Sequence, residues 1–269
     1  MSQRNQRKQI LLTNDDGIDS PGLWAAAAAL APLGFVTVAA PRQQWSGAGR
    51  SMPAHSEGRI ALQETRVDGQ NWQAYAVDGT PAQAVQHAIV ELLPAYPDLV
   101  VAGINYGENV GSGVTISGTV GATLEGASFG IPGLAMSLET DATFHLTHSP
   151  DIDFAAAAHF TAYFAAQLLR QPRLPDVDIL KVDVPEKATP ATPWRITRLS
   201  RTRYYLPQKP ERAHLGDSAR VGYRRQIEPD RVEADSDVRA LMDRVVSVTP
   251  LSLDLTSRVD FSAMQALFG

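Results

Sequence analysis

Two adjacent carboxylates, Asp15 and Asp16, stand in the run Asn14-Asp15-Asp16-Gly17, directly after the apolar stretch Ile10-Leu11-Leu12. Neighbouring carboxylates in a low-dielectric crevice repel, so one takes a proton or a cation sits between them, and a divalent metal is the simpler arrangement. A solvated strand-to-helix turn would use the same residue types, since Asn, Asp and Gly are ordinary turn residues. A further candidate donor is Asn105, in the run Ile104 to Gly111 that follows the apolar Leu99-Val100-Val101-Ala102. Its amide oxygen is a neutral hard ligand, suited to Mg²⁺, Mn²⁺ or Ca²⁺ beside two carboxylates. Ser46, in the polar loop Arg42 to Ser51, comes over the same place if that loop folds back, although most loop residues carry no site. Ser117-Gly118-Thr119 precede a helix-compatible stretch over Ala122 to Phe129; exposed amides and two hydroxyls at a helix start make an anion site. Plain N-capping by Ser117 or Thr119 uses the same groups. Phosphate binding is the favoured reading because this loop opens on the sheet edge that carries the two aspartates. His87 falls inside a helix and has no partner at a zinc-site spacing, while His145 and His148 sit in a polar connection and receive no metal assignment.

The elements that must position these residues alternate. The apolar run Ile10 to Leu12 reads as a strand buried on both faces, with Asp19 or Ser20 capping a helix that has Pro21 at its first position and runs through Leu23 to Leu30. Phe35 to Ala40 reads as a second strand, stopped by Pro41. Strand, helix and strand with short connections predict a right-handed parallel crossover, and ligands bind at the carboxyl ends of such strands. No G-x-G-x-x-G follows the first strand, against a dinucleotide cofactor. Extended segments over Gly58 to Asp78 turn at Asp68-Gly69, and Thr80-Pro81 opens a helix to about Leu93. Strands follow at Leu99–Gly103, Gly133–Leu138 and Ile179–Val184, with a long helix over Asp151 to Leu169. The fold class predicted is α/β, a Rossmann-like three-layer αβα sandwich with a mostly parallel sheet. Beyond about Trp194 the alternation stops, and Arg201-Thr202-Arg203-Tyr204-Tyr205 reads as a strand with an exposed face. This gives one domain over 1–269, with a core over about 9–193 and a C-terminal hairpin and arm, an oligomerisation element, over about 194–269.

Composition narrows the chemistry. With 24 basic and 29 acidic residues the net charge is −5, which offers no general attraction for nucleic acid or an anionic membrane. The chain has no cysteine, which excludes disulfides, thiolate zinc sites and a cysteine nucleophile. Met1 to Gln9 is polar and basic without the apolar core of a secretory signal, and is read as a frayed tail on a cytoplasmic protein.

The order and spacing of several separated stretches resemble the survival protein SurE family of 5′/3′-nucleotidases. They are Ile10 to Ile18 with Ser20-Pro21-Gly22-Leu23, Ala39-Ala40-Pro41 with Ser46-Gly47-Ala48, Gly79-Thr80-Pro81, Gly103-Ile104-Asn105 with Asn109-Val110-Gly111, Ser117 to Val120 with Glu125-Gly126, and Val248-Thr249-Pro250-Leu251. The resemblance implies a Rossmann-like nucleotidase that removes phosphate from nucleoside monophosphates with one Mg²⁺ or Mn²⁺ per subunit. It places the family's metal ligands on Asp15, Asp16, Ser46 and Asn105. It also implies a cytoplasmic homodimer or homotetramer built through the C-terminal arm; the charge balance predicts no membrane and no stable nucleic-acid partner. The chain departs from the family pattern at Asp19, at Arg42, and at Tyr106 and Glu108, where Ala and Pro are expected; the last two would alter substrate preference.

The mechanism expected is metal-assisted hydrolysis of a phosphomonoester without a covalent intermediate, with Asp15 and Asp16 as the catalytic carboxylates. Donors around Ser117, Gly118 and Thr119, with Asn14 and Asn109, would hold the phosphate oxygens. Two enzyme alternatives fit less well. A haloacid-dehalogenase-like phosphatase uses D-x-D where this chain has adjacent aspartates, and a metal-dependent deacetylase needs a His-Pro-Asp-Asp pattern whose histidine is absent. The rival of another kind is a non-catalytic nucleotide-binding regulatory protein.

Overall fold

The computed structural model describes residues 7–67 and 69–269. Its elements in chain order are β1 (Lys8–Thr13), α1 (Pro21–Leu30), β2 (Gly34–Pro41), β3 (Ile60–Val67), β4 (Gln70–Val77), α2 (Pro81–His87, continued by one wide turn over Ala88–Leu92), β5 (Leu99–Tyr106), α3 (Gly118–Ser128), β6 (Gly133–Leu138), α4 (Ala155–Arg170), β7 (Ile179–Val184), β8 (Trp194–Ile196), β9 (Tyr205–Gln208), β10 (Gly222–Arg225), α5 (Asp237–Met242), β11 (Val246–Leu251) and α6 (Phe261–Phe268). Nine strands form one sheet in the order β3-β4-β2-β1-β5-β6-β7-β11-β8. From β4 to β7 every neighbouring pair is parallel, and β3 and β11 run against their neighbours β4 and β7. This is the α/β class expected, with a mostly parallel sheet flanked by helices.

Alternation along the strands sorts the core into layers. Ile10 and Leu12 face one side with Leu23 and Trp24 of α1 and Phe160 and Phe164 of α4, whereas Leu11, Val100 and Ala102 face the other with Val85 of α2 and Ala122 of α3. A strand covered on both faces needs apolar residues at every position, which is why β5 is buried along its whole length.

The order reverses beside β1. Its crossover through α1 leads outward to β2, while its other neighbour, β5, begins the run to β6 and β7. Strands diverging from such a point leave a crevice beyond their carboxyl ends, where α/β proteins bind ligands. Leu12 pairs with Val38 on one side and Val101 on the other, so the residues after Thr13 and those after Ala102 emerge side by side.

Several expectations change. Lys8 and Gln9 belong to β1, with the Gln9 amide donating to Asp98, so the predicted tail is not frayed there; Met1–Gln6 lie outside the described residues. Asp68 of the predicted Asp68-Gly69 turn also lies outside them, although β3 and β4 pair as the hairpin expected. Asn105 is within β5, which runs to Tyr106, and α3 begins at Gly118 instead of Ala122, capped by the Ser117 side chain on Val120 N at 3.1 Å. The largest change is at 194: β11 inserts between β7 and β8, so residues 194–196 and 246–251 complete the central sheet and are not part of an appendage. What stands apart is the β9–β10 hairpin, paired only with itself, and α6, in which no residue is buried. Arg201–Tyr204 form a loop, not a strand. No helix among the described residues is long and apolar enough to cross a membrane.

Candidate active site

Asp15 and Asp16 leave β1 into a tight turn closed by Asn14, whose side-chain amide donates to Gly17 O at 2.9 Å, with Gly17 at φ +97°. A Cβ there would be strained by its φ alone. Asp16 is almost wholly buried, and its oxygens accept from Gln44 Nε2 at 3.0 Å and Tyr106 N at 3.1 Å. Asp15 meets the start of α3: Thr119 donates its hydroxyl to one oxygen, and the Gly118 and Thr119 amides point at the carboxylate. A Cβ on Gly118 would sit 2.7 Å from Asp15 Cβ and Oδ2, so only glycine lets the helix terminus approach this closely.

Ser46 reaches the site because its loop is pinned on both sides. Trp45 N donates to Asp15 O at 2.7 Å, and Gly49 N donates to Ile116 O at 2.9 Å. Asn105 is held by its own amide nitrogen, which donates to Tyr106 O and to Gly107 O at 2.8 Å and leaves the amide oxygen without a protein donor. Asp15, Ser46, Asn105, Asn109 and Ser117 line one cavity of about 590 Å³, within the range of small-molecule sites. Asp16, next to Asp15 in the turn, is not among the lining residues. Asn14, Gly118 and Thr119 do not reach the cavity; their donors serve the turn and the Asp15 carboxylate.

Electrostatics give the pair its character. Burial pushes Asp15 up to about 6, against hydrogen bonds from Thr119 and Gly118 that pull it down. Asp16 is held well above the usual carboxylate range, first by burial and then by the charge of Asp15. Two buried carboxylates with no cationic side chain bonded to them are an incomplete charge set. The described residues hold no cluster of three or more His, Cys, Asp or Glu suited to a metal, so these two carboxylates would have to be completed by neutral oxygens. The unpartnered Asn105 oxygen and the Ser46 hydroxyl, on the same cavity wall, are such oxygens. The all-oxygen donor set fits a hard divalent cation.

A pH dependence follows for protein kept in a chelator. Both carboxylates bind protons more tightly folded than unfolded, so stability falls as pH rises. The Asp15 contribution is whole below 3.8 and is lost as pH rises through about 6, and Asp16 extends the loss upward. The thermal midpoint of the unaltered chain should therefore decline more steeply between pH 4 and 7 than that of an Asp15→Asn, Asp16→Asn double variant. Equal slopes would contradict the assignment.

Several cavity residues were outside the sequence reading. The β9–β10 register places Tyr205 opposite Arg225 and Pro207 opposite Tyr223, so all four share one face of the hairpin. Arg225 docks that face by bonding Glu108 at 2.6 Å and Glu139 at 3.0 Å, and Tyr205 donates its hydroxyl to Glu108 at 2.8 Å. Burial raises the Glu108 carboxyl while Arg225 opposes the rise. Tyr106, which also lines the cavity, packs edge-on against Phe154 and donates its hydroxyl to Ser149 O at 3.2 Å. His145 lines the cavity, 8% exposed, and His148 Nε2 contacts Asp16 O at 3.0 Å. His87 pairs with Glu91 away from the site. The only hints in the sequence were the spacings Tyr205-x-Pro207 and Tyr223-x-Arg225, which mean nothing until the hairpin register is known.

The wall is braced from behind by a fully buried cluster. Lys181 bonds Asp183 and, at 3.1 Å, Asp237; Asp183 accepts from Asn109 N at 2.8 Å and Asp237 from Gly111 N at 2.9 Å. Burial disfavours charge on Lys181, but the two carboxylates outweigh it and raise its pKa, while burial raises the Asp183 carboxyl against the opposing pull of Lys181.

Comparison with known proteins finds relatives of this chain. The family model described as survival protein SurE matches residues 10–206. A protein named 5′-nucleotidase SurE from Thermococcus gammatolerans is 42% identical over 264 residues, covering 97% of this chain and 96% of the relative. One of the same name from Rubrobacter xylanophilus is 39% identical over 267 residues, covering 96% of each. The crystal structure of the SurE protein from Aquifex aeolicus superposes with a TM-score of 0.74 at 30% identity, covering 97% of this chain and all of that one.

Proposed function

Because the chain belongs to the survival protein SurE family, we propose that it is a nucleotidase that hydrolyses nucleoside 5′- and 3′-monophosphates with one divalent metal ion, Mg²⁺ or Mn²⁺, per subunit. The observation that carries this reading is the convergence of Asp15, Ser46, Asn105, Asn109 and Ser117 on one cavity at the point where the strand order reverses, with Asp16 adjacent to Asp15 in the same turn. Asp15, Asp16, Ser46 and Asn105 would hold the ion. When bound, such an ion supplies positive charge for the phosphoryl group and acidifies water.

The remaining work falls to the chain. The Ser117 hydroxyl and the Asn109 side-chain amide, on the cavity wall, donate to phosphoryl oxygens, the amide being steered by its 2.9 Å bond to Ser137. One of the two aspartates orients the attacking water. Gly118 and Thr119 serve by holding the Asp15 carboxylate, and Asn14 by holding the turn. Assembly as a homodimer or homotetramer through the C-terminal segment, in the cytoplasm, belongs to the same proposal; exposed Phe261, Leu267 and Phe268 on α6 support the assembly, and sedimentation of the whole chain as a monomer would remove it.

The test is phosphate release from a panel of 5′- and 3′-nucleoside monophosphates with EDTA, with Mg²⁺ and with Mn²⁺. Release is expected only with added metal and should return when the chelated protein is reloaded. Release undiminished by EDTA would remove the metal from the reading. Nucleotide binding without release under any condition would identify a non-catalytic nucleotide-binding protein.

A further inference from the structure

Four tyrosines and His145 line the cavity, and the phosphate chemistry at Asp15 does not use them. Tyr223 and Tyr205 come from the β9–β10 hairpin and His145 from the connection between β6 and α4, and all three line the same cavity as Asp15 and Asn105. Tyr223 is 41% exposed, so part of its ring stays open. Its hydroxyl lies 3.0 Å from His145 Nδ1, its ring is nearly parallel to the His145 ring at 6.0 Å and 23°, and Tyr205 meets it edge-on at 5.3 Å and 71°. The hairpin that carries it is seated by Arg225 on Glu108 and Glu139, and Glu139 is also bonded by Arg244 at 2.8 Å. An open aromatic face held rigid in this way binds flat π-systems with little ordering cost.

We propose that Tyr223, steadied by His145 and Tyr205, is a stacking platform for the nucleobase of the substrate. This rests on the nucleotidase reading and deepens it, by giving the chain a means to prefer nucleoside monophosphates over phosphorylated sugars in general. Stacking tolerates every base, because each presents a π-face, and favours the larger purines. The platform belongs to this chain's own contacts: Glu108, which anchors the hairpin through Arg225 and Tyr205, is one of the residues at which the sequence departs from the family pattern.

The experiment compares AMP with ribose 5-phosphate, which keeps the phosphate and sugar and lacks the base, in the whole metal-loaded protein and in Tyr223→Leu and Tyr223→Phe variants. The unaltered chain should favour AMP in kcat/KM. In Tyr223→Leu the AMP to ribose 5-phosphate ratio should fall about tenfold through KM for AMP, the size of one base–aromatic stack. Tyr223→Phe keeps the ring and should hold the ratio within about threefold, which separates stacking from displacement of the hairpin. A ratio near one in the unaltered chain, or one unchanged in Tyr223→Leu, overturns the platform even if phosphate release is normal. Calorimetric binding of adenosine, which has no phosphate, decides the matter if neither compound is hydrolysed. Adenosine binding weakened about tenfold in Tyr223→Leu would keep the platform while the nucleotidase reading fell, and absent or unchanged binding would overturn both.

Discussion

Replacing Asp16 by Asn should lower metal-dependent phosphate release by about 10²- to 10³-fold, the usual effect of removing one electrostatic stabiliser from a water-excluded site, while making the chelated protein more stable. The opposite signs follow from one cause. Asp16 is buried beside Asp15, so its charge opposes folding in the absence of a cation. The amide is isosteric and can still accept from Tyr106 N, the bond that ties the turn to β5. Gln44 would face the new amide nitrogen and must give up either that contact or its 2.7 Å bond to His145 O. That loss is small compared with removing an uncompensated buried charge. Phosphate release and thermal unfolding in EDTA at pH 8 check both halves. Full turnover in the variant would refute the assignment, and low turnover with a lowered midpoint would point to damaged folding.

Lys181→Met should destabilise the protein by about 3–5 kcal/mol, because it leaves two buried carboxylates without their shared partner. The lysine, Asp183 and Asp237 are all fully buried, and the carboxylates also receive the amides of Asn109, Gly111 and Ser200. Methionine has nearly the same length and no charge, so packing survives and the change reports electrostatics. For a chain near this size each kcal/mol shifts the thermal midpoint by roughly 2–4 °C, giving a drop on the order of 10 °C. Asp183→Asn should cost less, since Lys181 keeps Asp237. Denaturant unfolding of both variants is the measurement, and a loss below about 1 kcal/mol for Lys181→Met would mean that the cluster is not ionised.

The metal-site candidates were legible because each lies where a strand ends. Asn14-Asp15-Asp16-Gly17 and Asn105 follow apolar runs, and parallel pairing of β1 with β5 places those ends together. Ser46 was weaker, since its position depends on two backbone bonds, Trp45 to Asp15 and Gly49 to Ile116, that no local pattern reveals. In the sequence Ser117, Gly118 and Thr119 form one unit, but the structure divides them: Ser117 caps α3 and opens on the cavity, while Gly118 and Thr119 bond Asp15. Tyr205, Tyr223 and Arg225 were missed because their meaning lies in a hairpin register and in Glu108, about a hundred residues earlier. The place of β11 was hidden for a similar reason. Val246 to Leu251 reads as a strand anywhere, and only pairing with β7 and β8 makes it part of the core.

The insertion of β11 bears on how the chain is made. Synthesis delivers β1 to β7 first, and that much can collapse as a parallel sheet while the rest is still on the ribosome. Until residue 251 has emerged, however, β7 has an open edge, β8 has no neighbour in the sheet, and Lys181 waits for Asp237. A nascent chain of this protein therefore carries an unpaired strand edge from the completion of β7 at residue 184 until β11 is complete at residue 251, and it becomes one cooperative unit only near the end.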